Sequence, residues 1–139
     1  MTVITRDITL QSKGNCDLID ITPQVADDVE RSGVSSGIVT LFVVGSTAAV
    51  TTIEYEPNLL SDFENMWDRV APRNIPYKHD STWGDGNGHS HVRASMLGAS
   101  LVIPFEDKKL TLGTWQQIIL VDFDNRPRSR RIAIQILGE

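Results

Sequence analysis

Gly37-Ile-Val-Thr-Leu-Phe-Val-Val44 is an almost continuous run of β-forming apolar residues with only Thr40 polar among them. The run does not alternate between apolar and polar, so it reads as a strand covered on both faces, central to a sheet. Just upstream, Thr22-Pro23 offers an N-cap and a first helical residue, Val25, Ala26 and Val29 form a modest apolar stripe, and Gly33 is a stop. That pattern predicts a short helix. Before it, Ile4, Ile8 and Leu10 share a period-2 face with Arg6 among them, giving a first strand that ends at Ser12-Lys13-Gly14-Asn15.

Working downstream from the same run, Gly45 to Glu54 reads as a bend and a Thr/Val/Ile-rich strand. Pro57 opens a helix whose Leu59, Leu60, Phe63, Met66, Trp67 and Val70 fall on one face, which makes Trp67 a core residue. Pro72 ends that helix. A glycine-rich loop runs to about His89, and Val92, Met96 and Leu97 predict a third short helix stopped by Gly98. From Ala99 onward the pattern is all strand, with turns at Glu106 to Lys109 and at Asp124 to Arg128. The closing segment, Arg130 to Leu137, alternates cleanly, with Ile132, Ile134 and Ile136 on one face. Short βα passages followed by antiparallel strands predict an α+β domain with a mostly antiparallel sheet or sandwich and two to three short helices.

The chain has 139 residues, 40% of them hydrophobic and 22% charged, which suits one domain with one principal core. That is too short for a complete eight-fold βα barrel of about 250 residues. Thirteen Lys and Arg against eighteen Asp and Glu leave a net charge of -5. The balance argues against nucleic acid as a partner, so any anion site must be local. No apolar run approaches the roughly 20 residues that span a bilayer, so no membrane role is expected, and the N-terminus lacks the pattern of a signal peptide. A cytoplasmic protein is expected. Cys16 is the only cysteine and reads as structural.

Three constellations could carry chemistry. The segment Lys78 to His91 holds all three histidines, His79, His89 and His91, together with Asp80 and Asp85. Imidazole and carboxylate are common ligands of first-row divalent ions, and the glycines let distant ligands converge. If His89-Ser-His91 is extended the two rings share a side; if it is helical they diverge by about 200°. Trp83 either stacks on a flat ligand or pins this loop. Asn125-Arg-Pro-Arg-Ser-Arg-Arg131 is a candidate phosphate clamp, since guanidinium forks pair with phosphate oxygens. Arg130 shares its parity with the isoleucines and so faces inward, where it needs a bound anion or a carboxylate. Finally, Gln116 and Asp122 bracket an apolar stretch on a single face, and Asp122 is either a base or the counter-charge of an arginine. Glu54 is a carboxylate at a strand end.

Gly113-Thr-Trp-Gln116, Ser95-Met-Leu-Gly98 with His91 just before it, His79-Asp80, Ser129-Arg-Arg131 and Ser46-Thr-Ala-Ala-Val-Thr51 together resemble the YjbQ-type family, the secondary thiamine-phosphate synthases. The resemblance covers essentially the whole chain in order. It implies an α+β sandwich of about seven strands in two sheets that assembles as a homotrimer. It also implies a weak thiamine-phosphate synthase activity, joining hydroxymethylpyrimidine diphosphate to thiazole phosphate with loss of pyrophosphate. On that expectation Arg130, with Arg131, holds a phosphate of a small phosphorylated or heteroaromatic ligand, and Trp115 and Gln116 complete the binding surface. His79, Asp85 and His91, with His89, bind a divalent ion such as zinc or magnesium, or His79 and His91 protonate the leaving group. Glu54 or Asp122 acts as base. The chain departs from the family in Gly45 and Ile53, where a histidine and an asparagine are usual, and His89 is the residue available to compensate. A metal-dependent hydrolase and a non-catalytic metabolite-binding module are the competing functions.

Overall fold

The computed structural model describes residues Met1–Glu139. The strands are β1 (Thr2–Ser12), β2 (Asp17–Asp20), β3 (Gly37–Val43), β4 (Ala48–Glu54), β5 (Ser100–Glu106), β6 (Lys109–Leu110), β7 (Gln116–Asp122) and β8 (Arg128–Gly138). The helices are α1 (Thr22–Arg31), α2 (Pro57–Val70), α3 (Lys78–Trp83) and α4 (Gly88–Leu97). The expected α+β class holds, with eight strands rather than about seven and four helices rather than two to three. The additions are the short β2 and the six-residue α3, each too brief to leave a periodic signal.

Two antiparallel sheets form, one in the order β1-β8-β3-β5-β6 and the other β2-β7-β4. The inner face of the five-stranded sheet presents Val39, Leu41, Ile103, Phe105, Ile132, Ile134 and Ile136. Against it pack Val25 and Val29 of α1, together with Val50, Ile118 and Leu120 from one face of the three-stranded sheet. The other face of that sheet, with Ala49, Ile119 and Val121, packs under Trp67 of α2 and Ala94 of α4. The order of layers is therefore sheet, sheet, helices.

This layering corrects one expectation. The strand covered on both faces is β7, whose residues from Ile118 to Asp122 are all buried. β3 is central to its sheet but covered on one side only, since Ile38 and Phe42 are 38% and 51% exposed. Those two residues lie on the outward face of the sheet, which no element of this chain covers. No helix is long and apolar enough to cross a membrane.

Candidate functional site

The site is built at the end of β7 where the chain turns toward β8. Asp122 is fully buried and takes two hydrogen bonds from Arg130, Nε to Oδ2 at 2.6 Å and Nη2 to Oδ1 at 2.8 Å. Arg130 Nη2 also donates to Thr47 Oγ1 at 2.6 Å, and the Ser12 hydroxyl donates to Asp122 Oδ2. The guanidinium thus has an internal counter-charge and is 7% exposed. Arg130 is consequently not a phosphate clamp, and Asp122, locked in the same pair, is not a free base. The missing side chain of Gly45 makes room for this arginine, because a Cβ there would stand 2.9 Å from Arg130 Nη1.

Asp124 extends the network and lies outside the set picked from the sequence. It accepts from Thr47 Oγ1 at 3.0 Å, Arg128 Nε at 2.7 Å, the Asn125 amide at 2.8 Å and Asn87 Nδ2 at 3.4 Å. Burial pushes its carboxyl up, but these donors outweigh burial and hold it below the usual carboxylate range. Its parity with Asp122 was the available signal, obscured because Asp124 reads as the start of a turn.

Asn87 and Asn125 join this network to the helices above. Asn87 stands at the N-cap position of α4 with its side chain turned to Asp124 rather than to the helix, and Asn125 Nδ2 donates to the Asp85 carbonyl at 2.7 Å. There His79, Asp80 and Asp85 converge, one ligand atom from each lying within 4.8 Å of the others. His79 Nδ1 is buried without a hydrogen-bond partner, 3.8 Å from Asp80 Oδ1 and 3.9 Å from Asp85 Oδ1. Both separations are too long for hydrogen bonds and near the spacing of ligands around a shared cation. Asp80 Oδ1 also accepts from the Gly88 amide at 2.9 Å, which ties α3 to the first turn of α4.

The other two histidines separate. His89 and His91 are two positions apart on α4, so the helical period divides them. His91 packs its ring on that of His79, with centroids 4.5 Å apart, and lines a groove of about 350 Å³ with Val92, Ser95 and Met96. It stands beside the converging group rather than in it. His89 turns inward, 3% exposed, with its ring centroid 6.3 Å from that of Tyr77. It is thus neither a member of the converging group nor a substitute for the absent histidine at position 45. Burial, helped by the positive charge of Arg93, pushes its pKa below the ordinary 6.5 and favours the neutral ring.

The remaining expected residues lie elsewhere. Arg131 faces outward and pairs with Asp7 at 3.1 Å. Gln116 donates from Nε2 to Thr52 Oγ1 at 2.9 Å and receives the Gly113 amide at 3.0 Å. Glu54 and Trp115 line a separate groove. Glu54 pairs with Gln116 and Ala48 with Asp122, so six strand steps, roughly 20 Å, separate the two ends. Glu54, Trp115 and Gln116 therefore do not join the histidine group within one chain. Cys16 is buried, and that burial, reinforced by the charge of Glu64, pushes its thiol up to about 12, so it is no nucleophile.

A family model described as UPF0047 protein YjbQ-like matches residues 6–139. The chain belongs to the YjbQ-like UPF0047 family. Among its UPF0047 relatives, one from Methanothermobacter thermautotrophicus is 38% identical over 139 residues, covering 100% of this chain and 95% of the relative. YjbQ of Escherichia coli O157:H7 is 35% identical, covering 86% of this chain and 85% of its own. The crystal structure of a YbjQ-like protein of unknown function from Sulfolobus solfataricus P2 superposes with a TM-score of 0.94 at 38% identity, covering 99% of each chain. A YjbQ/UPF0047 protein from Clostridium acetobutylicum gives 0.86 at 36% identity, with 95% of this chain and 99% of its own covered. The fold of the YjbQ-like family is thus shared along the entire chain.

Proposed function

We propose that the protein is a small-molecule transferase of the thiamine-phosphate synthase type, acting on phosphorylated heteroaromatic substrates at the α3–α4 site. The observation that carries this reading is the convergence of His79, Asp80 and Asp85 around a buried, unpartnered imidazole nitrogen. That donor set fits a divalent cation, zinc or magnesium, with His79, Asp80 and Asp85 as its holders. A bound cation supplies positive charge where negative charge gathers on departing pyrophosphate. In this reading Arg126, exposed on the adjacent turn, takes the place of Arg130 as the cation offered to phosphate, since Arg128 is already paired with Asp124 at 2.7 Å. His91 lines its own groove beside His79, and in this reading it passes a proton to a leaving oxygen.

The test is pyrophosphate release from hydroxymethylpyrimidine diphosphate and thiazole phosphate. The His79→Ala and Asp85→Asn variants are expected to lose about tenfold or more of the rate while keeping the wild-type melting temperature. Unchanged rates remove the proposed role of the group. Equal release with thiazole phosphate omitted favours the competing reading, a metal-dependent phosphate-ester hydrolase built on the same residues. Retention of both substrates without turnover favours a binding module.

The same reading includes a homotrimer in the cytoplasm. The uncovered face of the five-stranded sheet supports assembly, since Ile38 and Phe42 on β3 adjoin Val102 and Pro104 on β5. An exposed apolar face of this kind marks an interaction surface.

A further inference from the structure

The groove at the other end of β7 has chemistry of its own. It measures about 420 Å³, within the range of small-ligand sites, and Tyr55, Pro57, Trp115 and Gln117 form much of its wall. Trp115 is 72% exposed, yet its turn is firmly held. Gln116 fixes it by accepting the Gly113 amide, donating to Thr52 and returning its own amide to the Gly113 carbonyl at 3.0 Å. Tyr55 is 42% exposed, and its hydroxyl donates to the Leu18 carbonyl at 2.6 Å, which anchors the ring. The Tyr55 ring is thus anchored and the turn that carries Trp115 is held, while much of both side chains' surface stays open to solvent.

The charge around them has one sign. Asp20, Glu54 and Glu56 line the groove, and no lysine, arginine or histidine does. Two of these carboxylates have structural work: Asp20 accepts the Thr22 amide at 2.9 Å, and Glu56 caps α2 by accepting the Asn58 and Leu59 amides. Glu54 is exposed and has no such duty. The three do not converge as His79, Asp80 and Asp85 do, so the groove is not shaped to share a bare metal ion. A carboxylate beside open aromatic surface suits a larger, softer charge, because indole and phenol rings attract cations that shed water easily.

We propose that this groove binds a small organic cation, an alkylammonium or protonated amine, with Trp115 and Tyr55 as its aromatic wall and Glu54 as its counter-charge. The groove lies at the Gln116 end of β7, roughly 20 Å along the strand from the Asp122 end whose network leads to the histidine group, and does not depend on what that group does. Charge complementarity selects the occupant: an anionic metabolite meets three carboxylates and no cation.

Choline and its neutral isostere 3,3-dimethyl-1-butanol separate charge from shape. Trp83 is also exposed, so Trp115 fluorescence is read in a Trp83→Phe background, where the remaining Trp67 is buried and does not line the groove. Choline is expected to give a saturable change there, with the neutral alcohol binding at least about fivefold more weakly. By ligand-observed NMR, Trp115→Ala is expected to lose choline binding, and Glu54→Gln to weaken it about threefold to fivefold. Both residues are exposed, so the variants keep the fold. Equal response to the two probes, or choline binding that survives Trp115→Ala, overturns the proposal. So does a Trp115 shielded from acrylamide at high protein concentration and freed on dilution, which makes a second copy of the chain the occupant.

Discussion

Arg130 shows how one side chain can look like a ligand clamp and serve as internal scaffolding. Its guanidinium is held by Asp122 and Thr47, with Ser12 completing the carboxylate's partners. Removing one member of a buried pair strands the other without compensation, which costs about 3–5 kcal/mol. Arg130→Met is therefore expected to lower unfolding stability by that amount in urea titration, and loss of activity in that variant will track loss of fold. A variant as stable as the wild type contradicts this account. The inward aim of Arg130 was legible from its parity with Ile132, Ile134 and Ile136. The choice between an anion and a carboxylate was not, since it depends on how β8 and β7 are placed in different sheets with their ends together. Asp80 and Asp85 were legible as members of a rich segment, but only the fold distinguishes them from His89.

At the scale of elements, α4 sorts its own histidines. Positions 89, 90, 93 and 94 are buried, while 91, 92, 95 and 96 face outward. The sequence reading left His89-Ser-His91 open between extended and helical, because Gly86 and Gly88 obscure where the helix starts. At its start the Gly88 amide donates to Asp80 and the Asn87 side chain to Asp124, contacts with partners from outside the helix. The buried, neutral His89 has a thermodynamic consequence. Its folded pKa lies below the ordinary 6.5, so as pH falls beneath 6.5 the unfolded chain takes up a proton that the native state refuses. Native stability is full above that pH and declines as acidity grows. Thermal melts between about pH 7 and pH 5 should show the melting temperature falling, and His89→Leu should flatten the decline. An identical slope in the variant assigns the acid sensitivity to other groups. Asp124 acts at lower pH: its stabilisation is present above 3.8 and is lost as pH drops through its depressed folded value.

Over the whole molecule, the outward face of the five-stranded sheet leaves Ile38, Phe42 and Val102 exposed, apolar surface that the chain does not bury by itself. Phe42→Lys places a charge in the middle of that face and is expected to convert the proposed trimer to monomers in size-exclusion chromatography with light scattering, with little change in secondary structure. An unchanged mass shows that assembly uses another surface. The α+β class, the antiparallel pairing and most strand positions were readable from period-2 patterns. The division of the strands into two sheets was not, because it rests on contacts between residues far apart in sequence. β8 illustrates this best. It lies between β1 and β3, pairing Thr2 with Gly138 and Ser12 with Arg128. β1 has no other strand neighbour, so it waits through the synthesis of every later element before it can hydrogen-bond at all. During translation β1 is an unpaired, β-prone segment, and closure of the sheet is a late event with a long loop to overcome. Arg6 and Asp7 sit in the middle of that waiting strand, where charge discourages pairing with a stranger.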